Sequence, residues 1–146
     1  MLHDSLKMTG KLKIELFGPD GEVKHTQEID NLVVTVGKNF IASRMKDATA
    51  TAMSHMAIGT GAVAAAAGDT TLGAEAGRVA LTSTTVTTNN VAYVATFPAG
   101  TGTGAITEAG LFNAASAGTL LCRTVFSVIN KASADSLGIT WTVTVN

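Results

Sequence analysis

Few residues of this chain are of a type and spacing that could do chemistry, and one carboxylate stands out among them. Glu108 lies inside the apolar segment AITEAGLFN at 105–113, and Arg78 and Arg123 are the only arginines beyond residue 47. Burying a carboxylate in a charge-poor strand is costly unless an opposite charge or hydrogen bonds compensate it. The sequence therefore predicts an intrachain ion pair between Glu108 and an arginine. The alternative is that one of these charges meets a partner chain.

Nucleophilic catalysis is not indicated by the sequence. The chain has no G-x-S-x-G motif, and its single cysteine, Cys122, lies in the apolar stretch LLCRTVF. A free cysteine in such a stretch is typically a small core residue, and a lone cysteine excludes an internal disulfide. We therefore assign no catalytic residue and expect a protein that is not an enzyme.

Metal and cofactor sites are not indicated either. The three histidines are scattered along the chain and form no H-x-x-x-H pair, and no cysteine cluster complements them. The glycine-rich pieces at 59–61 and 100–104 lack the Lys-Ser/Thr that follows the glycines of a phosphate-binding loop. We expect no metal and no cofactor.

Charge is sparse and unevenly distributed. Residues 1–47 hold 14 of the 21 charged side chains, and the formal net charge of −1 argues against nucleic acid as a direct partner. No apolar run is long enough to span a membrane, so we expect no membrane partner. The charge-poor remainder is easier to explain if another protein covers part of its surface.

The elements that must position these residues are mainly strands. Alternating segments at 11–17 and 22–29, and again at 78–88 and 91–97, predict two hairpins, each joined by turn-forming residues. Apolar spacing predicts one short helix near 38–46. Further strands are predicted at 32–36, 53–58, 105–113, 119–130 and 137–145. The small-residue connection at 62–77 has no predicted structure, and a loop of this length usually has a binding role or lies against a neighbour.

Short strands rich in Thr and Val predict an all-β protein, an antiparallel β-sandwich or jelly-roll-like barrel with one short helix. The length suits one domain over 1–146, in which a charged hairpin and helix (1–47) precede an Ala/Thr/Gly-rich β-core (48–146). The predicted core includes aromatic residues on the apolar phase of their strands: Tyr93, Phe97, Phe126 and Trp141.

Two stretches resemble structural proteins of tailed-bacteriophage virions. The run MAIGTG at 56–61 continues through GDTTL at 68–72 to Glu75 and Arg78, and resembles a pattern in small phage structural proteins. The stretch ITEAGLFN at 106–113 resembles the I-x-E-x-G-L-F element of tail-fibre, collar, baseplate-associated and head-associated proteins. With the Thr-rich terminal strand, the likeness covers about residues 53–146.

The resemblance implies a non-enzymatic β-rich module that self-associates and attaches to other virion components. The apolar, charge-poor composition itself predicts homo-oligomers, as dimers or trimers. The chain has neither the repeats nor the heptads of a fibre shaft, so it looks most like the capsid decoration (cement) proteins of short-tailed phages of the Bordetella type. The expected partner is then the major capsid protein. The expected location is the outer capsid surface, after synthesis in the host cytoplasm. The alternatives are a tail-fibre or baseplate adaptor and, less favoured, a carbohydrate-binding β-sandwich.

Overall fold

Alternation of apolar and polar residues shapes most of this chain into strands, because it gives each strand one face that can be buried. The computed structural model describes residues 5–46 and 50–146. In chain order the elements of this part are β1 (Met8–Phe17), β2 (Val23–Asp30), β3 (Leu32–Val33), α1 (Thr35–Arg44), β4 (His55–Gly59), β5 (Glu75–Ala80), β6 (Ser83–Thr87), β7 (Asn90–Phe97), β8 (Gly104–Phe112), β9 (Leu120–Lys131) and β10 (Ser136–Val145).

The strands form two five-stranded sheets in which every paired neighbour is antiparallel. Sheet A has the order β2-β1-β10-β7-β6, and sheet B has the order β3-β9-β8-β4-β5. The predicted all-β sandwich with one short helix is thus confirmed for the described residues.

The main core lies between the two sheets and holds most of the large apolar side chains. Trp141 and Phe97 of sheet A are fully buried, and Phe126 of sheet B is almost so. Tyr93 is only partly buried and packs against this core. Desolvation is the main cause that raises the pKa of Tyr93 to about 12.

The amino-terminal hairpin is an integral part of sheet A. β1 lies between β2 and β10, and its residues Leu12, Ile14 and Leu16 are buried in the same core as Trp141. The charged hairpin and the β-core that follows it therefore share one sheet and one hydrophobic core. The charged residues of β1 alternate with its buried residues, whereas β2 is largely exposed.

The helix begins earlier than its apolar spacing predicts. The stretch LVVTV at 32–36 has strand propensity, yet β3 holds only two residues and the helix spans Thr35–Arg44. Gly37 explains the difference, because a Cβ there would lie 2.1 Å from the backbone oxygen of Leu121 on β9. Close packing of the first helical turn on β9 overrides the local β propensity.

The connection predicted at 62–77 ends earlier than predicted, because its last residues enter β5. Arg78, predicted to lie in a hairpin with β7, instead pairs with Ala57 of β4 in sheet B. The chain then crosses to sheet A, where β6 and β7 form the hairpin. Residues 60–74 thus leave β4 and return to β5 as one loop, called the anchored loop below.

A second, smaller core lies under this loop, on the face of sheet B that points away from sheet A. Its members come from α1's start, from sheet B and from the loop itself, and they are Val34, Ala57, Leu72, Phe112 and Leu120. The loop is therefore packed onto the sandwich, with Leu72 as its buried apolar contact.

Candidate functional site

Neighbouring strands of sheet B bring Glu108 and Arg123 together beneath the anchored loop. In the β8–β9 register Arg123 lies opposite Gly110, two residues along β8 from Glu108. Side chains two apart on a strand share a face, so the carboxylate and the guanidinium lie on the same side of the sheet. With Asp69 and the loop's backbone they form what we call the Glu108 cluster.

The Glu108 carboxylate is fully buried and accepts five hydrogen bonds. Its Oε1 accepts from the backbone N–H of Gly73 at 2.7 Å and from Nε and Nη2 of Arg123 at 3.1 and 3.0 Å. Its Oε2 accepts from the backbone N–H of Gly61 at 2.6 Å and of Ala74 at 2.7 Å. One carboxylate thus joins β9 to both ends of the anchored loop.

The Arg123 guanidinium extends the cluster to the middle of the loop. Its Nη1 donates to Asp69 Oδ2 at 2.8 Å, and its Nη2 donates to the backbone oxygen of Val63 at 3.0 Å. Asp69 Oδ2 also accepts from the backbone N–H of Ala66 at 2.9 Å, which closes a turn inside the loop. The start, the middle and the end of the loop are therefore tied, directly or through Asp69, to two buried charges.

Two glycines leave space for the Glu108 carboxylate because they have no Cβ. A Cβ at Gly61 would lie 2.3 Å from Glu108 Oε2, and one at Gly59 would lie 2.7 Å from the same oxygen and 2.4 Å from the backbone oxygen of Ala74. Real Cβ contacts are not this short, so the sequence GTG at 59–61 allows backbone and carboxylate to approach closely.

The pKa shifts in the cluster follow from these contacts. Burial alone raises the pKa of Glu108, but the three backbone N–H donors and Arg123 outweigh it and hold the pKa below its usual value. The pKa of Asp69 is also lowered: the Ala66 N–H has the largest influence, desolvation opposes it, and the Arg123 guanidinium lowers the pKa further. Both acids are therefore held ionised.

Arg78 does not join the Glu108 cluster, contrary to one of the two predicted pairings. It forms an ion pair with Glu75, from Nη2 to Oε1 at 2.6 Å, and its guanidinium carbon lies 3.7 Å from the centre of the Phe112 ring. Its Nη1 also donates to two backbone oxygens in the β8–β9 connection, at 3.0 and 2.8 Å. Arg78 thus fastens β5 to that connection.

A second buried charge group closes the β9–β10 turn. Lys131 is buried and donates to the backbone oxygens of Pro98 and Asp135, at 3.0 and 2.7 Å. The Asp135 carboxylate accepts from Lys24 of β2 at 2.9 Å and from the Ala132 N–H at 2.9 Å. The pKa of Asp135 is lowered, first by the Lys24 hydrogen bond, and desolvation lowers the pKa of Lys131.

The arrangement of the Glu108 cluster suits structural anchoring better than catalysis. The carboxylate of Glu108 is occupied by five donors, so it has no free position at which to take a proton from a substrate. The Cys122 thiol is buried, and desolvation raises its pKa well above the usual value, against a smaller opposing effect of Asn31. Among residues 5–46 and 50–146, no group of three His, Cys, Asp or Glu side chains could hold a metal ion.

Sequence reasoning identified Glu108 and two candidate arginines, Arg78 and Arg123, but missed the rest of the cluster. Asp69 and the backbone donors at Gly61, Gly73 and Ala74 come from a loop with no periodic pattern, so only folding shows that they meet Glu108. The glycines on either side of the loop were the one available signal, since glycine permits close backbone approach.

Within the described ranges no helix is long and apolar enough to cross a membrane. Comparisons of the chain with protein-family models, curated proteins and solved structures found no match.

Proposed function

We propose that this chain is a non-enzymatic structural protein of a bacteriophage virion. It decorates the outer surface of the capsid and cements the shell by binding adjacent subunits of the major capsid protein. The proposal starts from the two stretches that resemble phage structural proteins, at 56–78 and 106–113.

Those two stretches form one structural unit, which supports treating the resemblance as a single feature. The first stretch supplies β4, the anchored loop and β5, and the second supplies β8. Glu108, the acid of the second stretch, accepts hydrogen bonds from backbone N–H groups of the first. The residues that carry the resemblance are thus those that hold the loop in place.

The observation that carries the proposal is the surface that this unit presents. The anchored loop exposes small apolar side chains, among them Val63, which is 79% exposed, although the loop is held by buried ionic hydrogen bonds. A rigid loop loses little conformational entropy on binding, and small side chains allow close approach of another backbone. Such a surface suits docking against a protein.

The proposal is tested on phage particles that carry or lack the protein. Antibody labelling viewed by electron microscopy should decorate the whole shell. Capsids lacking the protein should assemble yet release DNA at a lower temperature, because a bound clamp stabilises only the shell that displays its site. Tail-only labelling, or normal heat resistance together with failed adsorption, would favour the tail or baseplate adaptor instead.

A surface variant tests the loop itself. Val63→Asp should weaken attachment to purified capsids because it places a charge in an apolar contact, whereas folding should be unchanged because Val63 is exposed. The matched control is Val23→Asp on β2, where the valine is also exposed at 55%. Equal attachment of both variants would remove the loop from the proposed interface.

A further inference from the structure

The edge strand β6 is the feature of this molecule that nothing else in the fold explains. It is the last strand of sheet A, and all five of its residues are exposed. Alternate backbone N–H and C=O groups of an edge strand point away from its one neighbour and are free to pair with another strand. An edge of this kind is a template for strand addition.

Proteins usually protect such edges, and the other edges of this sandwich are protected. β2, at the opposite edge of sheet A, carries Lys24, Glu28 and Asp30, and its pairing with β1 is broken by a bulge. In sheet B, β3 has only two residues, and β5 carries the Glu75–Arg78 ion pair. Charge, bulges and short length all discourage edge-to-edge pairing.

β6 has none of these devices. Its sequence is STTVT, and it lies in a stretch of 29 residues, 79–107, that contains no Lys, Arg, Asp, Glu or His. It also contains neither proline nor glycine. Its pairing with β7 is regular over five residue pairs. The edge is therefore regularly paired, uncharged and rich in β-branched residues, which favours pairing with a further strand.

The core-facing side of the sheet is also left uncovered at β6. Val143, Val91 and Val86 lie side by side across β10, β7 and β6 on the core-facing phase of the sheet. Val143 is 4% exposed, Val91 is half-buried, and Val86 is 71% exposed. This row of three valines thus extends beyond the part of sheet A that sheet B covers. A strand added beside β6 would contact Val86.

We infer that β6 pairs antiparallel with β6 of a second copy of this chain, which joins the two A sheets into one ten-stranded sheet. A second copy is favoured over another partner because the edge is complementary to itself. A two-fold axis at Thr85 places Ser83 opposite Thr87 and Thr84 opposite Val86, so no like charges meet and every pair is β-branched or hydroxyl-bearing.

This interface does not involve the anchored loop, so it goes beyond the capsid proposal and can fail while that proposal stands. A single shared strand gives an interface at the low end of the usual size range, for which we expect a Kd on the order of 10 µM.

The test uses charge at the axis, where the two copies of residue 85 lie opposite each other. Sedimentation velocity over a concentration series should show dimers for the wild type and at least tenfold weaker dimerisation for Thr85→Lys and for Thr85→Glu. Mixing the two variants should restore dimers, because opposite charges then face each other. The matched control, Thr26→Lys on the exposed edge β2, should dimerise like the wild type.

A crosslink provides a second, independent measurement. Thr85→Cys should form a disulfide-linked dimer under mild oxidation, since directly opposed residues of antiparallel strands come close enough for a disulfide, whereas Thr26→Cys should not. The native Cys122 is buried and does not compete. A monomeric wild type at about 100 µM, ten times the expected Kd, would overturn the inference. Equal dimerisation of wild type and Thr85→Lys, or equal crosslinking at 85 and 26, would do the same.

Discussion

Replacing Glu108 by glutamine should be among the most damaging conservative changes in this protein. The side chain keeps its size, so the effect isolates the loss of one charge and one acceptor atom. If the amide nitrogen takes the place of Oε2, it faces the N–H groups of Gly61 and Ala74; if it takes the place of Oε1, it faces Gly73 and both donating nitrogens of Arg123. At least two buried donors therefore lose their acceptor in either orientation.

The expected cost follows from these contacts. A buried donor left without a partner costs about 1–3 kcal/mol, and breaking a buried ion pair by removing one charge costs about 3–5 kcal/mol. The two contributions overlap because they concern the same atoms, so we expect a loss of about 3–5 kcal/mol for Glu108→Gln at pH 7. That is a large part of the 5–15 kcal/mol by which domains are typically stable.

Urea unfolding at pH 7 measures this loss, with Glu28→Gln as the matched control. Glu28 is exposed on β2, so its variant should stay within about 0.5 kcal/mol of the wild type. Hydrogen exchange adds a local measurement, since amide protection at Gly61, Gly73 and Ala74 should fall in Glu108→Gln more than at β1 and β10. A variant within about 1 kcal/mol of the wild type, or one with unchanged loop protection, would refute the anchoring role.

Three further predictions concern the same structure. Because folding lowers the pKa values of Glu108 and Asp69, the stability that these two carboxylates contribute is complete above about pH 4.5 and is lost as pH falls below that value. Below pH 4.5 the urea midpoint of the wild type should therefore drop more than that of Glu108→Gln. Parallel plots of urea midpoint against pH for the two proteins would contradict this linkage. Gly61→Ala should lower the free energy of unfolding, measured by thermal unfolding, by on the order of 2 kcal/mol because the added Cβ would clash with Glu108. Gly68→Ala should be nearly neutral because a Cβ there meets nothing within 4 Å. Similar melting temperatures for the two variants would exclude the clash. Trp141→Ala should cost about 3–5 kcal/mol, measured by urea unfolding, because the side chain is fully buried, and an unchanged midpoint would argue against its core position.

Period-two patterning alone predicted the all-β sandwich and most of its strands. The terminal strand shows why, since Ile139, Trp141 and Val143 alternate with threonines and are buried in the structure. Val145 continues the same pattern but is 37% exposed, because a pattern identifies the apolar face and not how far the opposite sheet reaches.

Local sequence also predicted that Glu108 needs a compensating charge, because burial of a carboxylate has the same cost in any fold. It could not decide between Arg78 and Arg123. The choice depends on register: pairing of β8 with β9 brings Arg123 to the same face two residues away, whereas β5 pairs with β4 and carries Arg78 to Glu75 and Phe112.

Only the tertiary structure determined the anchored loop, the helix start and the exposed edge. The loop takes its shape from hydrogen bonds to Glu108, 34 to 47 residues away in sequence, and such contacts leave no local periodicity. The helix starts at Thr35 because Gly37 packs on the backbone of Leu121. The position of β6 at an edge depends on the order of the strands in sheet A. That order is set by how the two sheets pack their apolar faces against each other, and not by the residues of any one strand.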